Sequence, residues 1–440
     1  MTSTSLGCPG SGVGRQTQFG IGLAPLVEAS DGGGLITDPE GSTPTRGGVV
    51  TSQGRGGDSV SVRGTGGSAQ GLFAWRADRT RGLAVADCST PRASWWFIGA
   101  GAALDHESTL VLQNLDGSPA IVDVAVFGPD GPIDVTAAGG RGITVPPGEL
   151  IRVPMVELAP QTDELAVQVA ASQGRVVAAI ADHFALTPTA AVGNEWLPAQ
   201  LQPIRQTRIV GVPGAVRTGK QTGKQARVRQ HTLIVANPGD AEAVVDLELS
   251  GPNGRSTMPG TETLSIAPGS VATVDLTEAL DGAGADDALA VVMESSRPVV
   301  GAMRTVLSSG DHLVAGMSKA LDSSAATPVL AKTGATGQAW LHLVAGAWNA
   351  RADVVSYQAD GTELASEQIG MAAHALATYR IPKKAAYVMV TPTKGQIYGA
   401  TVWATDSGKI TASTRVLRAL PDRLRIPGFV QEGEPNRCAQ

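Results

Sequence analysis

The chain is short of aromatic residues, of charge and of cysteine, and each shortage narrows what it can be. Aromatics make up 4% and charged residues 17% of its 440 residues. Its three cysteines, Cys8, Cys88 and Cys438, lie too far apart for a CxxC metal or redox motif. No stretch reaches the roughly 18 consecutive apolar residues of a membrane-crossing helix. A basic excess is also missing: the net charge of -6 argues against a general nucleic-acid binder. The first residues, Met1 to Ser5, have neither the basic nor the apolar region of a secretory leader. Either the protein is cytoplasmic, or a leader or anchor belongs upstream of the recorded start.

What is abundant is glycine (55), proline (27) and small aliphatic residues, with hydrophobic residues at 42%. That apolar fraction excludes wholesale disorder, because a disordered chain cannot bury enough apolar surface to offset its ordering entropy. At about 150 residues per domain, the length predicts about three domains. The odd cysteine count leaves one thiol unpaired in any monomer. Cys8 and Cys88 both sit in turn-like contexts, and a disulfide between them would anchor the N-terminal segment, as suits an oxidising compartment. Three free thiols are the alternative, and Cys438 is expected to be unpaired in either case.

Internal similarity is the strongest signal. Thr109-Leu-Val-Leu-Gln-Asn114 returns 123 residues later as Thr232-Leu-Ile-Val-Ala-Asn237. Each is followed by an alternating run, Ala120 to Val126 and Ala243 to Leu249, then by a turn ending in Gly131 or Gly254. Pro147-Gly148 and Pro268-Gly269 then occupy matching positions. A diverged copy starts at Trp340 and carries Ala373-His374 where the others carry Pro-Gly. A partial copy precedes them all, at Leu35 to Trp75. The runs are short, β-branched, period-two, and separated by Gly, Pro, Asn and Asp, which is the pattern of sandwich strands. Helical spacing is confined to a turn or two near Val156–Leu158 and Leu276–Leu280.

The expected fold is therefore all-β: tandem antiparallel, Ig-like β-sandwich repeats, about three copies plus a partial N-terminal one. A closed pseudo-threefold arrangement is the alternative topology. The expected boundaries are 1–104 for the N-terminal segment, 105–200 for the first repeat and 201–231 for a basic linker. The second repeat spans 232–325, the third 326–425, and a tail 426–440.

Cys88, Trp95-Trp-Phe-Ile-Gly-Ala-Gly101, Thr109 to Asn114, Val145-Pro-Pro-Gly148, Leu165 to Val169, Gly174 to Ala179 and Glu195-Trp-Leu-Pro198 carry a resemblance. Through them the chain resembles an actinobacterial family of cell-envelope proteins known only as a domain of unknown function. The resemblance implies an extracytoplasmic protein, exported by a leader or anchor, with no established catalytic activity. It supplies no catalytic residue to carry over.

No motif for chemistry appears. The histidines are scattered and without HExxH, so no metal site is expected. No complete dinucleotide fingerprint, Walker A motif or nucleophile elbow is present, so no cofactor is expected either. The acidic segment Asp281 to Asp287 lacks the ligand spacing of a calcium loop. Two features stand out instead. Trp95, Trp96 and Trp196 precede repeat boundaries, where they either cap a sandwich core or offer a platform to a sugar ring. Between Glu195 and Asp240 there is no acidic residue, while Arg205, Arg208, Arg217, Lys220, Lys224, Arg227 and Arg229 are all present. That segment is either a solvated linker or a loop that attracts anionic polymers.

The expected function is a non-catalytic, extracytoplasmic binding or scaffolding module of the cell envelope. Its expected partners are a cell-wall polymer, a membrane surface or an envelope protein, and not nucleic acid. One alternative is a carbohydrate- or wall-active enzyme with its site in a cleft between repeats. That reading predicts carboxylates or histidines with perturbed pKa beside Trp95, Trp96 or Trp196. The other alternative is an accessory subunit of a membrane enzyme, marked by a large exposed apolar patch.

Overall fold

A computed structural model describes residues 3–12, 16–26, 32–79, 82–200, 202–217, 225–258, 260, 262–281, 288–330, 337–406 and 408–421. Lys220, Lys224, Cys438, the acidic segment 282–287 and the tail 426–440 lie outside the described residues.

Four two-sheet sandwiches follow one another along the chain. The first pairs a sheet of Ser3–Cys8, Val60–Thr65 and Leu35–Asp38 with one of Val49–Gly54, Thr17–Leu23, Leu72–Asp78 and Ala84–Asp87. Leu6, Phe19, Ile21, Val62 and Leu72 fill the space between them, beside a disulfide joining Cys8 and Cys88. In the second, Ala120–Gly128, Leu165–Gln173 and Ser94–Ala100 face His106–Gln113, Val177–Phe184 and Gly193–Leu197. The fourth sets Ala325–Pro328, Tyr387–Lys394, Ala350–Tyr357 and Glu363–Met371 against Leu376–Arg380, Gln338–Ala345, Ile397–Asp406 and Ile410–Val416. The third is built round one long strand, Leu289–Leu307. Its first half pairs with Ala243–Gly251 and Ile204–Val212, and its second half with Gln225–Ala236 and His312–Ser318.

Period-two patterning makes these strands and sets their faces. Ala120, Val122, Val124 and Val126 point into the second core, and Ala243, Val245, Leu247 and Leu249 take the same places in the third. Each fully buried Val or Leu contributes roughly 1.5–3 kcal/mol, so a one-residue slip of either strand would forfeit several times that. The repeated asparagine has a structural task. Asn114 Nδ2 donates to the carbonyls of Ser118 and Val145, and Asn237 Nδ2 to those of Ala241 and Ile266. Their Oδ1 atoms accept the amides of Asp116 and Gly239 in Asx-turns. Helical turns occur at Met155–Leu158 and Thr277–Asp281.

The boundaries differ from the expected ones at two places. The strand Ser94–Ala100 pairs with Leu165–Gln173, so it belongs to the second sandwich and not to a segment ending at 104. The stretch 201–231 is not a linker. Ile204–Val212 and Gln225–Ala236 are strands of the third sandwich, because Ile209, Val210 and Val212 bury apolar side chains between the basic ones. The closed threefold arrangement is not found: four units take part.

The four sandwiches touch in a cycle. The second and third share one continuous core, in which Trp95 and Ile98 belong to the same apolar cluster as Ile234 and Met303. The third meets the fourth through Val210, Ala290, Val344 and Ala400. The fourth meets the first through Leu341 and Leu343 with Leu83 and Val85. Ala84, Ala181 and Trp196 join the first to the second.

Candidate functional site: a buried polar junction of the four sandwiches

Where the cycle closes, the molecule buries ionisable side chains. The strand Gly193–Leu197 is buried throughout, and it carries Glu195 into the junction. Glu195 Oε1 accepts the Trp196 amide at 2.9 Å and the Ser413 hydroxyl of the fourth sandwich at 3.0 Å. Asp311, in the turn before His312–Ser318, reaches two other units. Its Oδ2 accepts the Ala412 amide at 2.8 Å and the Leu83 amide at 3.4 Å. Both residues are 2% exposed, and Glu195 Oε2 and Asp311 Oδ1 have no hydrogen-bond partner. Burial pushes both carboxyls well above the usual carboxylate range, against the hydrogen bonds they accept, and Asp311 adds to the effect on Glu195. Asp311 also lines a cleft of about 360 Å³ with Ala191, Val192, Ser309, Lys409 and Thr411.

A second cluster is ionised. Asp182, fully enclosed, lies 3.1 Å from His106 Nε2 in its own sandwich and 3.1 Å from His312 Nε2 in the third. The Ser108 hydroxyl donates to the same carboxylate. Burial alone would raise the Asp182 pKa, but the His106 charge and the hydrogen bonds from both imidazoles hold it well below the carboxylate range. Burial likewise opposes a charge on His106, yet Asp182 and, at 3.5 Å, Asp163 raise its pKa to about 9. His312 is pressed down by burial and stays neutral, donating from Nε2. The Phe184 ring packs edge-on to both imidazoles and carries the Arg304 guanidinium 4.0 Å above it. Arg304 in turn forms an ion pair with Glu164, tying the third sandwich to the second again.

The third element is the seam between the first and second sandwiches. Arg76 pairs with Asp78 at 2.9 Å, and Trp196 Nε1 donates to Asp78 at 2.6 Å. The Arg76 guanidinium lies 4.8 Å from the Trp196 ring.

The residues singled out in the sequence fall as follows. Cys8 and Cys88 are joined, with Cα atoms 4.4 Å apart. Trp95, Trp96 and Trp196 are not a sugar platform. They are at most 5% exposed and offer no free face: Trp95 stacks on Phe97, Trp96 on Phe127, and Trp196 under Arg76. The seven basic residues are not one loop. Arg205 and Arg208 lie on Ile204–Val212, Arg217 ends the strand Ala215–Arg217, and Arg227 and Arg229 lie on Gln225–Ala236. Arg205, Arg227 and Arg229 are exposed. Arg208 is buried, with its guanidinium 4.4 Å from the Tyr398 ring and near His374. His106, Asp182, His312, Glu195 and Asp311 were not nominated by the sequence. The single local hint is Glu195 next to the flagged Trp196.

A model of a family of unknown function, DUF5719, matches residues 52–382. The chain belongs to this family. The DUF5719 match begins inside the first sandwich and ends inside the fourth, whose last three strands lie beyond it. No curated protein matches the chain. Among solved structures, a Bacteroides uniformis β-glucuronidase is 12% identical, with a TM-score of 0.13 over 44% of this chain and 26% of its own. A calcium-binding mutant of Bacteroides uniformis β-glucuronidase 2 is 11% identical, with a TM-score of 0.13 over 50% and 32%. The chain thus spans less than a third of either, and likeness at that level indicates neither fold nor activity.

Chemically, the junction is suited to holding units together. A nucleophilic triad needs a hydroxyl on the imidazole, but here Ser108 donates to the Asp182 carboxylate instead. Among the described residues, no group of three or more His, Cys, Asp or Glu could hold a metal ion.

Proposed function

We propose that this DUF5719 chain is a non-catalytic, extracytoplasmic scaffolding or binding module of the cell envelope. One observation carries the reading. The buried ionisable groups of the junction bridge one sandwich to another: Asp182 to His312, Glu195 to Ser413, Asp311 to Leu83 and Ala412, Arg304 to Glu164. Groups spent in this way make a rigid body and leave little to act on a substrate. The Cys8–Cys88 bond adds support for an oxidising compartment. The exposed Arg205, Arg227 and Arg229 are the contacts available to an anionic wall polymer or membrane surface. The test is co-sedimentation of the purified protein with isolated envelope fractions, with and without these three arginines replaced by serine. Salt-sensitive binding that weakens in the triple variant is expected. Binding by neither form would overturn the reading.

One observation favours a second reading, an enzyme acting on carbohydrate or wall polymer. Asp311 borders the 360 Å³ cleft, and burial raises its carboxyl and that of Glu195 above the usual range, the direction a general acid requires. Hydrolysis of a wall polymer by the wild type, abolished in Asp311→Asn without loss of fold, would establish it in place of the first.

A further inference from the structure

Independently of the envelope reading, the meeting of the first, second and fourth sandwiches holds a concentration of positive charge with too little negative charge to match it. Arg415, on the edge strand Ile410–Val416, is 9% exposed and forms an ion pair with Asp87 of the first sandwich. Its Nη1 is buried without a hydrogen-bond partner. Arg418 follows three residues later and donates to the Ala199 carbonyl of the segment after the second sandwich. Arg92, over the Trp95 ring at 5.2 Å, is close enough to feel the Arg418 charge. Burial and the neighbouring Arg418 press the Arg415 guanidinium well below its ordinary value. Arg415 and Arg418 thus line one cavity with the single carboxylate of Asp87, which is itself partly exposed to solvent.

A cavity of about 50 Å³ opens between Asp87, Ser89, Arg415 and Arg418, floored by apolar residues including Phe97 and Leu197. At roughly 10–15 Å³ per enclosed water, it has space for about four waters. A single phosphate or carboxylate group needs about that much. Guanidinium forks match such oxyanions in shape as well as charge. From this geometry we infer an oxyanion-binding site in which Arg415 and Arg418 clasp one phosphate or carboxylate group. Asp87 competes with the ligand for Arg415, and so sets the affinity from inside the fold.

The test is isothermal titration calorimetry of the full chain with inorganic phosphate and, separately, with acetate, at constant ionic strength. Saturable one-to-one binding of at least one anion in the millimolar range or tighter is expected. The stronger arm tells whether the natural group is a phosphate or a carboxylate. Removing one charge-assisted contact in Arg418→Ala should weaken binding about tenfold. Asp87→Asn removes the competitor and should tighten binding. This keeps the test decisive if Arg418→Ala fails to fold, since loss of a merely structural ion pair would not raise anion affinity. Absence of saturable heat with both anions, or affinity unchanged in Asp87→Asn, would overturn the proposal.

Discussion

Glu195 and Asp311 couple the stability of this protein to pH. Their carboxyls are held above the usual range by burial, so the folded state keeps protons that an unfolded chain would release. The stability they contribute is complete below the ordinary carboxylate pKa of about 4 and drains away as pH rises. His106 acts in the same sense: its contribution is complete below 6.5 and is lost as pH rises through about 9. The opposing groups, His231 and His342, are lowered by burial to about 4, so their contribution is lost only as pH falls below 6.5. Between pH 6.5 and 9 the His106 contribution is lost, so stability falls, and the raised Glu195 and Asp311 carboxyls act in the same sense as they ionise. Urea midpoints of the wild type should fall relative to those of Glu195→Gln, which cannot ionise, as pH is raised from about 4 to 9. A difference between the two that stays constant with pH would show that the Glu195 carboxyl is not raised. None of this was legible in the sequence. Asp182 and His312 are 130 residues apart, and no spacing rule joins them.

Elements were far more legible than the contacts between them. The alternation in Ala120–Gly128 and Ala243–Gly251 gave the strands and their inward faces, because burial on one side of a sheet imposes period two. The match between Asn114 and Asn237 extends to the hydrogen bonds they make. The basic stretch forms strands and not a linker because Ile209, Val210 and Val212 stand among its charges and are buried. The tryptophans had two readings, and burial selects the core one. The diverged copy is equally instructive at its turn. Gly148 and Gly269 have φ of 74° and 65°, and His374, in their place, is forced to 59°. A left-handed conformation costs a residue with a Cβ about 1–2 kcal/mol. His374→Gly should therefore raise the unfolding free energy by about 1 kcal/mol, less what is lost with the Arg208 contact, as measured by thermal unfolding. A clear fall in stability would mean that the hydrogen bond to Arg208 outweighs the backbone strain.

At the scale of the whole molecule, four sandwiches are locked into one cycle by shared cores and a buried polar centre. Asp311, from its place in the third unit, bonds to backbone amides of both the first and the fourth. A tandem array of independent sandwiches would instead touch only along neighbouring pairs, with its ionisable residues in solvent. The two arrangements differ in cooperativity. Differential scanning calorimetry of the intact, oxidised chain tests this most directly. The cycle predicts a single transition, with calorimetric and van't Hoff enthalpies in agreement. Separate transitions for the individual sandwiches, or a calorimetric enthalpy several times the van't Hoff value, would contradict it.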